Sequence, residues 1–294
     1  MPPPKKVPPT DAIVERLSEV DPQADGAPDT LRLSLDAKAT VNVGPFSRKG
    51  RSRTEVEAAD HDFKPEATLT PFGILLPEHD DLTLYMTRSK VTSDFIVDRL
   101  VDRWEFNRGR FPEVTRPVLN LDNGPENHGR RTQFLKRTAG FAREYRLDIE
   151  LAYYPPYHSE YNPIERRWGI LELHWNGALL DSVEAVLGYA ETMTWRGGHP
   201  EVVLVEAEYN EGVKSGREEM EALESVITRL PTLEKWFVSI PGGRRRDGRV
   251  NSFQTPNQVQ PVRGSQRDWP RPLPQRTTCN RPSCQMGMRG SRSR

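Results

Sequence analysis

The first clear pattern along the chain is Leu31, Leu33 and Leu35 alternating with Arg32, Ser34 and Asp36, the period of a strand with one buried face. Such a strand delivers Asp36 on the face opposite the leucines. After a turn-rich stretch, residues 82–87 repeat a strand signature. The period then changes. Phe95, Ile96, Leu100, Val101 and Trp104 fall on one helical stripe, with Ser93 placed to cap its start and Gly109 near its end. Residues 117–122 return to a strand that stops in Asn123-Gly124-Pro125, a strong turn signal. A helix over 130–145, a strand over 149–154 and a helix from Asn162 continue the alternation. That order predicts an α/β domain over residues 31–240, a mixed sheet flanked by helices.

Composition separates the two ends from this region. Residues 1–30 hold seven prolines and one short helical possibility at 11–17, so they read as a Pro-rich linker or truncated N-terminal region. Residues 241–294 are rich in Arg, Pro, Gln, Gly and Ser, show neither strand nor helix period, and are expected to form a disordered basic tail. The whole chain is formally neutral, with 42 basic and 42 acidic residues, but the tail has twelve Arg against two Asp. Its balance of +10 leaves −10 on the preceding residues, too acidic for a broad cationic face. No apolar run reaches the roughly 18 to 20 residues of a membrane span, and Cys279 and Cys284 supply neither a disulfide framework nor a zinc site. A reducing, cytoplasmic setting is expected.

Three acids stand out by position. Asp36 and Asp122 end strands, and Glu165 opens a helix. Side chains at the carboxyl ends of neighbouring strands converge on one crevice, and clustered carboxylates favour either protons or hard cations. Two Mg²⁺ ions about 3.5 to 4 Å apart would activate an attacking hydroxyl or water and stabilise a leaving oxygen. Each acid also has an ordinary explanation. An Asp after a strand commonly forms a turn, and Asn162, Pro163 and Glu165 fit a helix-capping box. Glu172, seven residues beyond Glu165, lies on the same side of that helix and competes as third acid.

The surrounding residues carry more. The run Tyr154-Pro155-Pro156-Tyr157-His158-Ser159-Glu160-Tyr161-Asn162-Pro163-Ile164-Glu165-Arg166-Arg167-Trp168 resembles the block around the last acid of mariner-like DDE transposases. Asp122-Asn123-Gly124 is similar to their second-acid motif. Leu35 to Gly44, Asp122 to Arg131, and Glu234-Lys235-Trp236-Phe237 resemble the bacterial ISAzo-thirteen group of insertion-sequence transposases. The similarity covers roughly residues 10–240. It implies a ribonuclease-H-like fold, Asp36, Asp122 and Glu165 as catalytic and metal-holding residues, and two Mg²⁺ or Mn²⁺ ions. It further implies cleavage at transposon ends and strand transfer into target DNA, by a homodimer that associates with the bacterial nucleoid. Only 35 residues precede Asp36, where family members carry a helix-turn-helix-like region, so the chain is expected to be a truncated copy.

Arg48, Lys49, Arg51 and Arg53 lie in a loop with no acid between Pro45 and Thr54, and with Arg130, Arg131 and His158 they are candidate DNA contacts. A solvated loop and a charged helix face explain the same residues equally well. Trp168, Trp175, Trp195 and Trp236 are expected in the core. Two other functions stay open: an inactive remnant that folds or binds DNA or partner transposase, and a ribonuclease-H-like nuclease without strand transfer.

Overall fold

A computed structural model describes residues 9–46, 65–156, 158 and 161–243. Its described elements follow the order α1 (Thr10–Gly26), β1 (Thr30–Ala37), β2 (Val41–Val43), β3 (Ala67–Leu76), β4 (Asp81–Thr87), α2 (Ser93–Asn107), β5 (Arg116–Leu121), α3 (Thr132–Tyr145) and β6 (Ile149–Tyr153). They continue through α4 (Glu165–Trp175), α5 (Val183–Glu191), β7 (Glu201–Val205), α6 (Arg217–Glu224), β8 (Thr228–Arg229) and β9 (Phe237–Ile240). All fall within one unit, Met1–Asp247. The tail from 244 onward lies outside the described residues. No described helix is long and apolar enough to cross a membrane.

The sheet runs β7-β4-β3-β1-β5-β6-β9-β8, with β2 paired to β3. It is mixed. β1, β5 and β6 are mutually parallel, whereas β3 is antiparallel to both β1 and β4. Parallel neighbours need crossovers, and α3 supplies the one between β5 and β6. This is the mixed sheet flanked by helices that the alternation predicts.

Two stretches differ from the sequence reading. Residues 10–26, expected as linker, form a helix whose Ile13, Leu17, Val20 and Ala24 are buried in the main core. Those positions repeat at helical spacing, and burying each large side chain contributes about 1.5 to 3 kcal/mol, enough together to offset Pro22 within the helix. Polar contacts fix its angle. Arg32 Nε donates to Asp25 at 2.7 Å, Asn120 Nδ2 to Asp21 at 3.0 Å, and Tyr154 Oη to Asp21 at 3.1 Å. The helix is thus tied to three consecutive sheet neighbours.

The second difference is β3, a central ten-residue strand inside the stretch that reads as turn-rich. Pro71 and Gly73 obscure it, because both are rare in central strands. Pro71 is tolerated where the β1 ladder stops. The last pair is Ala37 with Phe72, and the Pro71 carbonyl accepts from Lys38 N just beyond it. A smaller correction concerns α2: its N-cap is Thr92, whose side chain accepts from Phe95 N at 3.3 Å, while Ser93 is the first helical residue.

Candidate active site

Register brings the first two acids together. Ser34 pairs with Asn120 in the parallel β1–β5 ladder, so two residues further along each chain Asp36 and Asp122 emerge side by side. Along β1, the leucines at 31, 33 and 35 enter the main core. Arg32, Ser34 and Asp36 point the other way, to Asp25, Asn162 and Trp168 respectively. Asp36 therefore leaves the sheet on the face the alternation predicts.

Asp122 is shaped by the turn that follows it. Asn123 takes a left-handed conformation, φ 60°, which Asn tolerates better than most residues. The chain then folds back so that Gly124 N donates to Asp122 Oδ1 at 3.2 Å. A Cβ at Gly124 would lie 3.1 Å from Asp122 Oδ2, so a side chain there would crowd the carboxylate. Asn127 Nδ2 donates to the same Oδ1 at 2.8 Å.

Glu165 reaches the group from α4, and the way it does so excludes the capping-box explanation. The helix begins at Glu165 with no side-chain cap, and the Asn162 side chain turns away to β1. There it accepts from Ser34 Oγ and donates to the Leu35 carbonyl at 3.3 Å, while Ile164 N donates to Ser34 Oγ at 3.0 Å. The residues before Glu165 are latched to the strand that bears Asp36. α4 also lies close against β3 at Gly73, the register partner of Asp36, where a Cβ would meet Ile164 Cδ1 at 2.6 Å. Glu172 takes another direction and pairs with Lys38 at 2.9 Å.

The electrostatics register this convergence. Burial first, and the Asp122 charge second, push the Asp36 carboxyl from its ordinary 3.8 up to about 7. The Trp168 hydrogen bond pulls it down, and the Glu165 charge raises it again. Among the described residues no three His, Cys, Asp or Glu side chains are grouped closely enough to hold a metal ion as they stand. The chemistry of the donor set nevertheless fits a hard divalent cation: three carboxylates, no thiolate, and a mutual repulsion that positive charge would relieve.

The expected DNA contacts divide. Arg48, Lys49, Arg51 and Arg53 lie outside the described residues, as do Tyr157, Ser159 and Glu160 of the Pro-Pro-Tyr block. Arg130 is exposed. Arg131 instead holds Glu126 at 3.1 Å, and Glu126 in turn accepts from Ser93 N and Oγ. His158 is half-buried, with Nδ1 3.0 Å from the Pro156 carbonyl and its ring stacked on Tyr161 at 6.0 Å. Trp168, Trp175 and Trp236 are buried as expected. Trp195 is half-buried beneath the Arg167 guanidinium, 3.9 Å from its ring centre, and its Nε1 donates to Asp80. Sequence reasoning did not assign the contacts of Ser34, Gly73, Asn127, Asn162 and Trp168 around the acids, since most of them rest on a partner far away in the chain.

Comparison with known proteins completes the picture. Residues 2–241 match the family described as the Rhodopirellula transposase DDE domain. No curated protein matches. Among solved structures, the Mos1 transposase paired-end complex with left transposon end is similar at a TM-score of 0.42 and 12% identity, over 63% of this chain and 55% of that one. The Mos1 mariner paired-end complex with Mn is similar at 0.42 and 12%, over 61% and 52%. This chain therefore spans little more than half the length of either. The family match runs from before the first helix to just past the last strand, and bears out the resemblance carried by the Pro-Pro-Tyr and Asn-Pro-Ile-Glu residues: the chain belongs to the Rhodopirellula transposase DDE-domain family.

Proposed function

We propose that this chain is the metal-dependent catalytic part of an insertion-sequence transposase, cleaving DNA at transposon ends and joining the freed 3′-hydroxyl to target DNA. The observation that carries this reading is the family match over residues 2–241, which spans Asp36, buried at the carboxyl end of β1 within reach of the charges of Asp122 and Glu165. Asp36, Asp122 and Glu165 are the catalytic residues and would hold two Mg²⁺ or Mn²⁺ ions. When bound, such ions supply Lewis acidity to the attacking and leaving oxygens of a phosphodiester.

The chain's own part is alignment and charge. Asp36 and Asp122 are fixed by paired strands, and Glu165 by a helix latched to one of them, so little reorganisation is needed during reaction. Arg130, His158, Arg48, Lys49, Arg51 and Arg53 neutralise phosphates of bound DNA, and binding falls with salt. The catalytic domain comprises residues 31–240 with α1 added as an integral part. It works as a homodimer, one copy per transposon end, on DNA in the bacterial cytoplasm.

The test is a Mn²⁺ titration of the full chain with Glu165→Gln and Glu172→Gln beside it, followed by nicking of DNA that carries the element's own ends. The parent and Glu172→Gln should bind Mn²⁺ and nick, and Glu165→Gln should lose both. A folded parent that binds no Mn²⁺ would overturn the proposal and leave an inactive remnant. Nicking without joining to a second DNA would reduce it to a nuclease.

A further inference from the structure

The two aspartates differ from most acids of this fold in the partners they keep. Elsewhere, partly buried carboxylates meet guanidinium groups: Asp25 with Arg32, Asp80 with Arg167, Asp81 with Arg103, and Asp98 with Arg137. Asp36 and Asp122 instead receive neutral side-chain donors. Trp168 Nε1 donates to Asp36 Oδ2 at 2.7 Å, and Asn127 Nδ2 to Asp122 Oδ1 at 2.8 Å. Among the described residues no other side chain donates to either carboxylate.

Both donors are held from behind. Trp168 is buried on α4, with ring atom Cη2 so close to Gly73 that a Cβ there would come within 2.8 Å. Asn127 is buried, and its backbone carbonyl accepts from Tyr153 Oη at 2.6 Å. Its own Oδ1 is buried with no hydrogen-bond partner, so its placement leaves one polar atom unsatisfied while the amide nitrogen serves Asp122. A guanidinium in either place would neutralise the carboxylate. An indole or amide N–H takes up one oxygen and leaves the negative charge in place.

We propose that Trp168 and Asn127 are positioning residues, each fixing one oxygen of its aspartate so that the other is presented to a bound divalent cation. The proposal rests on the reading of Asp36, Asp122 and Glu165 as the metal-holding acids. Trp168 has a second effect. It lies three residues from Glu165 on α4, so its bond to Asp36 also sets the separation between these two acids.

The test is calorimetric titration of Mn²⁺ into the full chain, its Trp168→Phe and Asn127→Ala variants, and Asp36→Asn as control, with kcat and KM measured on end-bearing DNA. Trp168→Phe keeps an aromatic ring beside Gly73 and loses the N–H. We expect each positioning variant to bind Mn²⁺ about 10- to 100-fold more weakly. Reduced kcat with unchanged KM for DNA should accompany it. A role in packing alone predicts an unaltered Mn²⁺ Kd for Trp168→Phe. If Asp36→Asn abolishes binding while Trp168→Phe and Asn127→Ala bind as the parent does, the positioning roles are overturned and the acids keep theirs. If Asp36→Asn still binds Mn²⁺ like the parent, the metal-holding reading itself is wrong and the positioning roles fall with it.

Discussion

At the residue scale, Asp36 is a buried acid held in place at the expense of stability. Its carboxyl is raised from 3.8 to about 7 by burial and by the charge of Asp122, so folding takes up a proton on this group between those values. The direction of the pH dependence follows. The native state is not penalised below pH 3.8, where the group is protonated folded or unfolded, and the penalty grows as pH rises through about 7. At full ionisation it is roughly 4 kcal/mol, since each tenfold change in proton affinity is worth about 1.4 kcal/mol. Asp36→Asn should therefore melt higher than the parent at pH 8 without divalent cations and show little advantage at pH 4, as differential scanning calorimetry would report. An equal advantage at both values would mean that Asp36 is not the strained group. The strand ends that carry Asp36 and Asp122 were legible in the sequence because period-2 alternation and turn residues are local. Their partners were less so: Trp168 satisfies a helical apolar stripe whether or not its N–H meets an aspartate 132 positions away.

At the element scale, the approach of α4 to β3 decides where Glu165 ends up. Gly73 permits it. A methyl group there would lie 2.6 Å from Ile164 Cδ1 and 2.8 Å from Trp168 Cη2, so these side chains, which flank Glu165, must shift. Gly73→Ala should cost about 1 to 3 kcal/mol in urea unfolding, and should weaken Mn²⁺ binding because the displaced Trp168 donates to Asp36. Unchanged stability would show that α4 accommodates the methyl group freely. The same close approach explains why β3 escaped the sequence reading. Its Pro71 and Gly73 count as breakers locally, yet one sits where a ladder ends and the other where a helix must come near. The length of α1 was hidden for a similar reason, since Pro22 argues against a helix until the burial of Ile13, Leu17, Val20 and Ala24 is counted.

At the scale of the whole molecule, strand order matters more than strand content. β1 and β5 lie side by side although β2, β3, β4 and α2 intervene in the chain, and this adjacency is what aligns Asp36 with Asp122. The far side of β6 is covered by β9, which arrives last and buries Phe237, Val238 and Ile240. At about 1.5 to 3 kcal/mol per large side chain, their loss approaches the 5 to 15 kcal/mol that stabilises a typical domain. A chain ending at Trp236 should therefore lose its cooperative thermal transition by circular dichroism. A transition near the parent's temperature would show that β9 is dispensable.

What the sequence by itself determined is local: the period-2 strand that presents Asp36, the turn at Asp122, the helix that starts near Glu165, and the motif residues that identify the family. Periodicity and turn chemistry act over a few residues, so they survive in a linear reading. Only the tertiary structure decided that Asp36 is buried where it feels the charges of Asp122 and Glu165, that Glu172 pairs with Lys38, and that Ser34, Asn162, Trp168 and Asn127 meet these segments through side-chain hydrogen bonds. Those outcomes depend largely on contacts between residues up to about 130 positions apart, and a local pattern carries no record of which distant surface it will meet.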